Sequence, residues 1–559
     1  MYRKKSLIKK TKWQKLLFLT CSVFILSIVN CNDEGNRLDP HSSNDDNDIE
    51  YEVSLASSIE NNLPYEEGMD QDVSLSTPTH FDEGTYGKGK LEAIDEDSNK
   101  YILKLRGTPY EMGFQYGYLI GDHALIMARE YPEKILMCNV ESFPIEISIS
   151  LDGDILDVGI APNIHIKFNC WTILSYHLNS VPAEFLQEID GIVDGAAAAG
   201  HITDTEKSRE RFRKDLLFIN MGQDIQSTIY YKLKSILQLI YPNQEDKVET
   251  IPHSCDGFVA LNDATENGNV IMGRDFMFHR DVFYEHGILI EYNPDNGNSY
   301  VNVAAAGLVS VVSGMNSKGI AIGAHVTPCR NVNYFTAGMG VSFLKKKVMQ
   351  EANELSEAIE ILKNNKRGVP WIVILADGQG EEQGGAVVEY SANFFKVRHT
   401  DYEWNPTYIQ RLLGYTDDLQ IENNPNVVIA ANTFITPEMN IWTRPIYSKK
   451  FLWNSRERYK CILDQIFNVN YGLYERINMD NGMNLVNYLH ADLENYREGY
   501  TDYHILDYVW MPEVLEDDFV FSEGLPVSGS RTIFDLGNLE LKTLYGKYGD
   551  PWVFYTMPR

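Results

Sequence analysis

The chain has 559 residues, 44% of them hydrophobic and 12% aromatic, which excludes a disordered protein and allows a large core. Its net charge of −30 excludes sequence-independent binding to nucleic acid or to an anionic lipid surface, because phosphate repels such a protein.

Residues 1–30 read as a signal peptide. Arg3, Lys4, Lys5, Lys9, Lys10, Lys12 and Lys15 form a basic stretch without an acid, and the apolar run from Leu16 to Val29 is short for a membrane span. Ile28-Val29-Asn30-Cys31 follows and resembles a bacterial lipobox, with Asn30 where a small residue is usual. The resemblance implies lipidation of Cys31 and export, with the protein anchored to a bacterial membrane at the outer membrane, cell surface or periplasmic face. An uncleaved anchor and a plain signal peptide with a coincidental cysteine are the alternatives. Residues 31–99 read as an acidic disordered tether; thirteen Asp or Glu lie between Asp33 and Asp72 against the single Arg37. Of seven cysteines, one falls in the leader and one is Cys31, so Cys138, Cys170, Cys255, Cys329 and Cys461 remain. An odd number in an exported protein leaves at least one free thiol. No Cys-x-x-Cys pair or His cluster calls for a metal, and nothing calls for a cofactor.

Residues 100–254 read as largely helical. After a short strand at Tyr101–Leu105, Thr108 can cap a helix with Pro109 in its first position and Glu111 in its first turn. Ala183–Ala199 is an alanine-rich helix closed by Gly200. Thr203 to Ile240 continues helically, with a break expected near Gly222. From residue 255 the pattern becomes β: Phe258–Asn262, Val270–Arg274, Ile288–Tyr292, Tyr300–Ala305, Leu308–Val312 and Ile320–Val326, separated by Asn-Gly and Asn-x-x-Gly turns. Helices at Val341–Gln350 and Leu355–Leu362 come next, then strands at Trp371–Leu375, Ala386–Tyr390 and Val427–Ala431. This order predicts an α+β fold with helices on antiparallel sheets. Asp377 to Gly385 reads as a hairpin turn, since its spacing fits no standard cation loop.

Chemistry enters at His253-Ser-Cys255-Asp-Gly-Phe-Val-Ala-Leu-Asn, followed by a hairpin and a second strand ending in Gly-Arg274-Asp. Upstream stands Arg106-Gly-Thr-Pro-Tyr-Glu-Met-Gly-Phe-Gln-Tyr-Gly, then Glu188-Ile-Asp-Gly-Ile-Val-Asp-Gly-Ala. Downstream stand Gly314-Met-Asn316-Ser-Lys-Gly319, Ala386-Val-Val-Glu389, Ala431-Asn432-Thr-Phe and Ser455-Arg-Glu-Arg458-Tyr. Together they resemble the acyl-CoA:6-aminopenicillanate acyltransferase-like family of cysteine N-terminal-nucleophile hydrolases. Choloylglycine hydrolases and phospholipase B-like proteins are more distant. The likeness runs from Leu105 to the C-terminus.

That resemblance implies a four-layer αββα sandwich of two antiparallel sheets between helical layers, and self-cleavage between Ser254 and Cys255. The segment 100–254 and the catalytic chain 255–559 then stay associated as one compact domain. Cys255 becomes the nucleophile that takes an acyl group from a small-molecule amide, by hydrolysis or transfer, through a thioester. Its freed α-amine, with an ordinary pKa of about 8, is then a base on the nucleophile's own residue. Arg274 favours the thiolate, the amide of Asn432 suits an oxyanion, and a backbone N–H near His325 is the second donor. Arg458 belongs to the same set.

Two positions depart from the pattern. His325 stands where the relatives have Asn, and Met277 where bile-salt hydrolases have Asp, with Asp275 two residues earlier. Other readings apply to each residue: an inert half-buried thiol for Cys255, ion-pair partners for Arg274 and Arg458, a turn cap for Asn432, a satisfied strand histidine for His325 and a linker residue for His253. The competing functions are a catalytically inactive surface lipoprotein that binds a ligand or partner, and a phospholipase B-like lipid esterase.

Overall fold

A computed structural model describes residues 89–94, 100–134, 143–148, 163–168, 170–240, 255–277, 283, 285–327, 329, 331–333, 338–381, 383–400, 402, 426–439, 449–488, 529–545 and 551–558. The leader, Cys31, Cys138, His253 and Ser254 lie outside the described residues.

Regular structure is present before residue 100. Strand β1 (Lys90–Ala93) pairs antiparallel with β2 (Tyr101–Gly107), which corrects the tether boundary at 99. Leu91 is buried there, and Glu92 bridges Lys90 and Lys104, so this short run has both a core contact and paired charges. Helix α1 (Pro109–Lys134) starts with a capping box: Thr108 Oγ1 accepts from the Glu111 amide at 3.3 Å, and Glu111 Oε2 accepts from the Thr108 amide at 2.8 Å. Strands β3 (Phe143–Ser148) and β4 (Asn163–Phe168) pair with each other and precede α2 (Cys170–Leu178). Helix α3 (Ala183–Ala199) ends on Gly200 at φ +82°, as its sequence predicts. Helix α4 (Glu206–Ile240) runs through Gly222 without a break, since one glycine costs a helix only about 1 kcal/mol. The spaced glycines of the upstream motif let α1 and α3 touch. A Cβ on Gly113 or Gly117 would lie 2.0 Å from the Glu188 carbonyl or 1.9 Å from that of Ile192.

From the nucleophile onward come β5 (Cys255–Asn262), β6 (Gly268–Phe276), β7 (Gly287–Pro294), β8 (Tyr300–Ala305), β9 (Ser313–Asn316) and β10 (Ile320–Val326). Helices α5 (Val341–Glu351) and α6 (Leu355–Asn364) follow, then β11 (Trp371–Asp377), β12 (Gly384–Tyr390), β13 (Phe395–His399) and β14 (Val427–Ala430). Helices α7 (Lys449–Phe467) and α8 (Met479–Tyr488) and strands β15 (Ser530–Asp535), β16 (Glu540–Tyr545) and β17 (Val553–Thr556) complete the described elements. A strand was expected at Leu308–Val312, but the chain there is irregular and buried. The amides of Ser310 and Val312 bond instead to Oδ1 of Asn220 and of Asn302, so side chains replace the ladder and the strand starts at Ser313.

The strands form two large sheets, ordered β1-β2-β7-β8-β9-β10-β11-β12-β13 and β14-β5-β6-β15-β16-β17. Every pairing in them is antiparallel except β2 with β7. Strands β5 and β6 face β10 and β11 across a continuous apolar core. Helices α5 and α6 cover the outside of the first sheet, and α7 and α8 that of the second, where a separate core sits. The fold is α+β, two mostly antiparallel sheets between helices.

Candidate active site

The site forms where β5 and β6 begin and end. Cys255, a free thiol that is 3% exposed, stands opposite Phe276 on the neighbouring strand, and Gly257 stands opposite Arg274. Because side chains alternate along a strand, Cys255 and Arg274 share the face turned to the other sheet. Asp256 and Asp275, directly opposite each other, share the face turned to α7. Asp275 therefore points away from the face that carries the thiol.

Arg274 is buried and crosses between the sheets. Its Nε donates to Ser313 Oγ at 2.7 Å and its Nη2 to the Ala324 carbonyl at 2.6 Å, while Nη1 lies 3.5 Å from His325 Nε2. Gly323 makes this crossing possible, since a Cβ there would lie 2.3 Å from Arg274 Cδ. Burial pushes the Cys255 thiol above its ordinary value; the Arg274 charge and the Met277 amide facing the sulfur draw it down, and Asp275 and Asp256 push it up. Position 277 thus acts on the sulfur through its backbone.

On the other side, Asn432 and Arg458 hold the nucleophile's own backbone. The Cys255 nitrogen donates to Asn432 Oδ1 at 2.8 Å, and Arg458 Nη2 donates to the same oxygen at 2.7 Å. Asn432 Nδ2 donates to the Val326 carbonyl at 2.7 Å, which fixes the amide's orientation because a flip would set donor against donor. Arg458 Nη1 reaches both the Cys255 carbonyl at 3.0 Å and Asp256 Oδ2 at 2.8 Å. Arg458 is thus an ion-pair partner as well as a site residue. Asp256 is pushed up to about 7 by burial and by the charge of Asp275, against the pull of Arg458.

His325 is fully buried on β10 between Ala324 and Val326, whose carbonyls anchor Arg274 and Asn432. The backbone role expected at His325 meets an obstacle. The Ile320 amide bonds Asn316 Oδ1 on the β9 side, while the Gly319 carbonyl takes the Gly378 amide on the β11 side. Alternation then turns the even residues of β10 to the β9 side and the His325 N–H to its register partner Ile372 on β11.

Four contributors went unread in the sequence, the first being Asp256, the partner of Arg458. Ser313 and Gly323 shape the seat of Arg274. Lys345, buried in the second turn of α5, donates to the Val312 carbonyl at 2.7 Å. Burial first, then the Arg274 charge, hold its amine well below the ordinary lysine value. Lys345 has no signal in one sequence, because an exposed lysine on a helix looks the same.

No family model matches the chain. A protein of Archaeoglobus fulgidus that carries only the description "Uncharacterized protein" is 37% identical over 464 residues, 83% of this chain and 66% of its own length. The chain thus spans slightly less than two thirds of that relative. Solved structures with partial likeness are a Caenorhabditis elegans N-acylethanolamine-hydrolyzing acid amidase ortholog, at 14% identity and TM-score 0.29 over 54% of this chain and 100% of the other. Penicillin V acylase from Agrobacterium tumefaciens matches at 16% and 0.31, over 54% and 86%. A mutant conjugated bile acid hydrolase from Clostridium perfringens matches at 14% and 0.31, over 54% and 92%. Likeness at this level carries no functional argument, which has to come from the chain's own residues.

Proposed function

We propose that this chain is a self-processing cysteine amidohydrolase or acyltransferase, in which cleavage between Ser254 and Cys255 frees the base that the nucleophile needs. The observation that carries the reading is the double hold on Cys255: Asn432 Oδ1 takes its nitrogen, and Arg458 takes its carbonyl and Asn432 together. A cysteine whose backbone nitrogen is fixed by a side chain, beside a buried arginine on its thiol face, is arranged for chemistry on both its nitrogen and its sulfur.

In the uncut chain the nitrogen is an amide and has no basicity, and burial holds the thiol protonated. Once cut, the α-amine keeps its bond to Asn432 and turns a lone pair to the thiol. The thiol proton passes to the amine and the sulfur bonds to the acyl carbon. The carbonyl's π pair moves to oxygen and returns as the amide C–N bond breaks, with the amine carrying the proton to the departing nitrogen. A water or a second amine then releases the acyl group. The acyl and amine partners are not specified by these residues, because a fold hosts many substrates.

The segment before Cys255 supplies β1 and β2 to the nine-stranded sheet and the buried Glu188 to Lys346, so both chains stay together after cutting. The basic leader and Cys31 would place the assembly on a membrane through lipid; labelled fatty acid should enter the mature protein and be lost in Cys31→Ser. For the central reading, intact mass should give one chain ending at Ser254 and one beginning at Cys255, and Cys255→Ala should stay whole. Cutting of the alanine variant at that bond would assign the cleavage to another protease.

A further inference from the structure

We propose that His325 donates, through its imidazole Nδ1–H, to the oxyanion that forms on the carbonyl under attack by Cys255. The inference rests on the reading of Cys255 as the nucleophile and adds a catalytic role for a side chain where only a backbone group was expected.

Placement comes first. A Cβ on Gly323 would fall on the Arg274 side chain, so the face of β10 bearing residue 323 looks across at β6. His325 lies two residues further on and therefore projects from that same face, over the end of β5 and β6 where Cys255 sits. The Cys255 backbone acts on the ring as a hydrogen-bonding neighbour and raises its value, a smaller effect than burial and Arg274, so ring and nucleophile lie side by side.

The tautomer follows from the neighbour. A guanidinium carries only donors, so the ring nitrogen that faces Arg274 Nη1 at 3.5 Å is an unprotonated Nε2, and the ring hydrogen sits on Nδ1. Burial, then the charge of Arg274, hold the imidazole well below its ordinary value and keep it neutral. Nδ1 is buried and makes no hydrogen bond of ordinary length among the described residues. A buried donor left open is costly, and such groups are retained where a transient acceptor arrives. The competing donor in this stretch, the His325 backbone N–H, is turned to β11. A neutral, fixed N–H that transfers no proton is what a developing oxyanion requires.

Acylation by p-nitrophenyl acetate probes this directly. The Cys255 sulfur bonds to the acetyl carbon, its proton goes to the α-amine, and the oxyanion forms. Collapse restores the carbonyl, breaks the C–O bond and releases p-nitrophenolate, leaving an acetyl thioester. Alkylation by iodoacetamide uses the same thiolate but forms no oxyanion. The experiment uses the full chain with a factor Xa recognition sequence placed directly before Cys255, so that freeing the amine does not depend on each variant's own processing. In His325→Phe, acylation should fall by about 10²–10³ while alkylation stays within about threefold of the parent. Equal losses in both rates would make His325 a positioning residue for Arg274 and overturn the proposal, as would no loss in either. Should the Phe variant not fold, His325→Asn and His325→Ala replace it. Asn keeps a donor and should acylate at least about tenfold faster than Ala at equal alkylation; equal acylation overturns the idea. Release of p-nitrophenolate by Cys255→Ala at the parent rate would instead remove the nucleophile reading itself.

Discussion

Asn432 Oδ1 takes the backbone nitrogen of Cys255 from 177 positions along the chain, at 2.8 Å. The same oxygen is held by Arg458, so the nitrogen that would become the catalytic base is fixed before any cut is made. Asn432→Ala removes this anchor and, on the proposed reading of its amide as an oxyanion donor, that donor with it. Turnover of an amide substrate should fall by about 10²–10³, with a cut that is slower but still at Ser254–Cys255. Single-turnover kinetics and intact mass on the same preparation check both.

Gly323→Ala tests the seat of Arg274. A methyl group 2.3 Å from Arg274 Cδ forces the guanidinium off Ser313 and Ala324. With the Arg274 charge displaced, the thiol loses the main influence that offsets burial. The pH profile of iodoacetamide labelling at Cys255 should move to higher pH, and labelling at pH 7 should slow in step, because the thiolate fraction there falls about tenfold for every pH unit the profile moves.

The buried pair of Lys346 and Glu188 joins α5 to α3, one on each side of the proposed cut, and the ammonium also lies 4.7 Å from the Tyr292 ring centroid. Lys346→Met leaves a buried carboxylate unpaired and should cost about 3–5 kcal/mol in denaturant unfolding. Adding Glu188→Leu should recover most of that loss.

Asp224 accepts from the Val341 amide at the start of α5 and from the Trp371 indole, and burial pushes it up to about 7. A raised folded-state value means that its contribution is fully present below the ordinary value of 3.8 and is lost as pH rises through 7. An asparagine does not titrate. The stability of the parent relative to Asp224→Asn should therefore shrink between pH 5 and about 8, read from urea midpoints at each pH.

Much of this architecture was legible because local chemistry and long-range pairing agree. The Asn-Gly turn at Asn267-Gly268, the capping box at Thr108 and the closing Gly200 each announce an element that tertiary packing then keeps. Leu308–Val312 was misread because its apolar pattern suits a strand, whereas Asn220 and Asn302, each distant in sequence, take its amides. Strands β15 to β17 gave no motif to read, though β15 is the immediate neighbour of β6 in the sheet. The site residues carried by the family-like motifs, Cys255, Arg274, His325, Asn432 and Arg458, do converge. Asp256, Ser313, Gly323 and Lys345 were not legible as site residues. Their parts are set by partners such as Arg458, 202 residues from Asp256, and no local pattern encodes such a meeting.

Strand β2 has a consequence for the protein's history. It lies inside the nine-stranded sheet, between β1 and β7, and its parallel bond to β7 joins the segment before Cys255 to the segment after it. In one continuous chain, that strand finds its place by an intramolecular search. After cutting, the same docking becomes an encounter between two molecules, slowed by dilution and opposed by aggregation of a sheet with an open edge. The cut protein would therefore be assembled once and not rebuilt. Its lifetime would be governed by how slowly β2 leaves the sheet, so that endurance becomes a matter of rate and not of equilibrium.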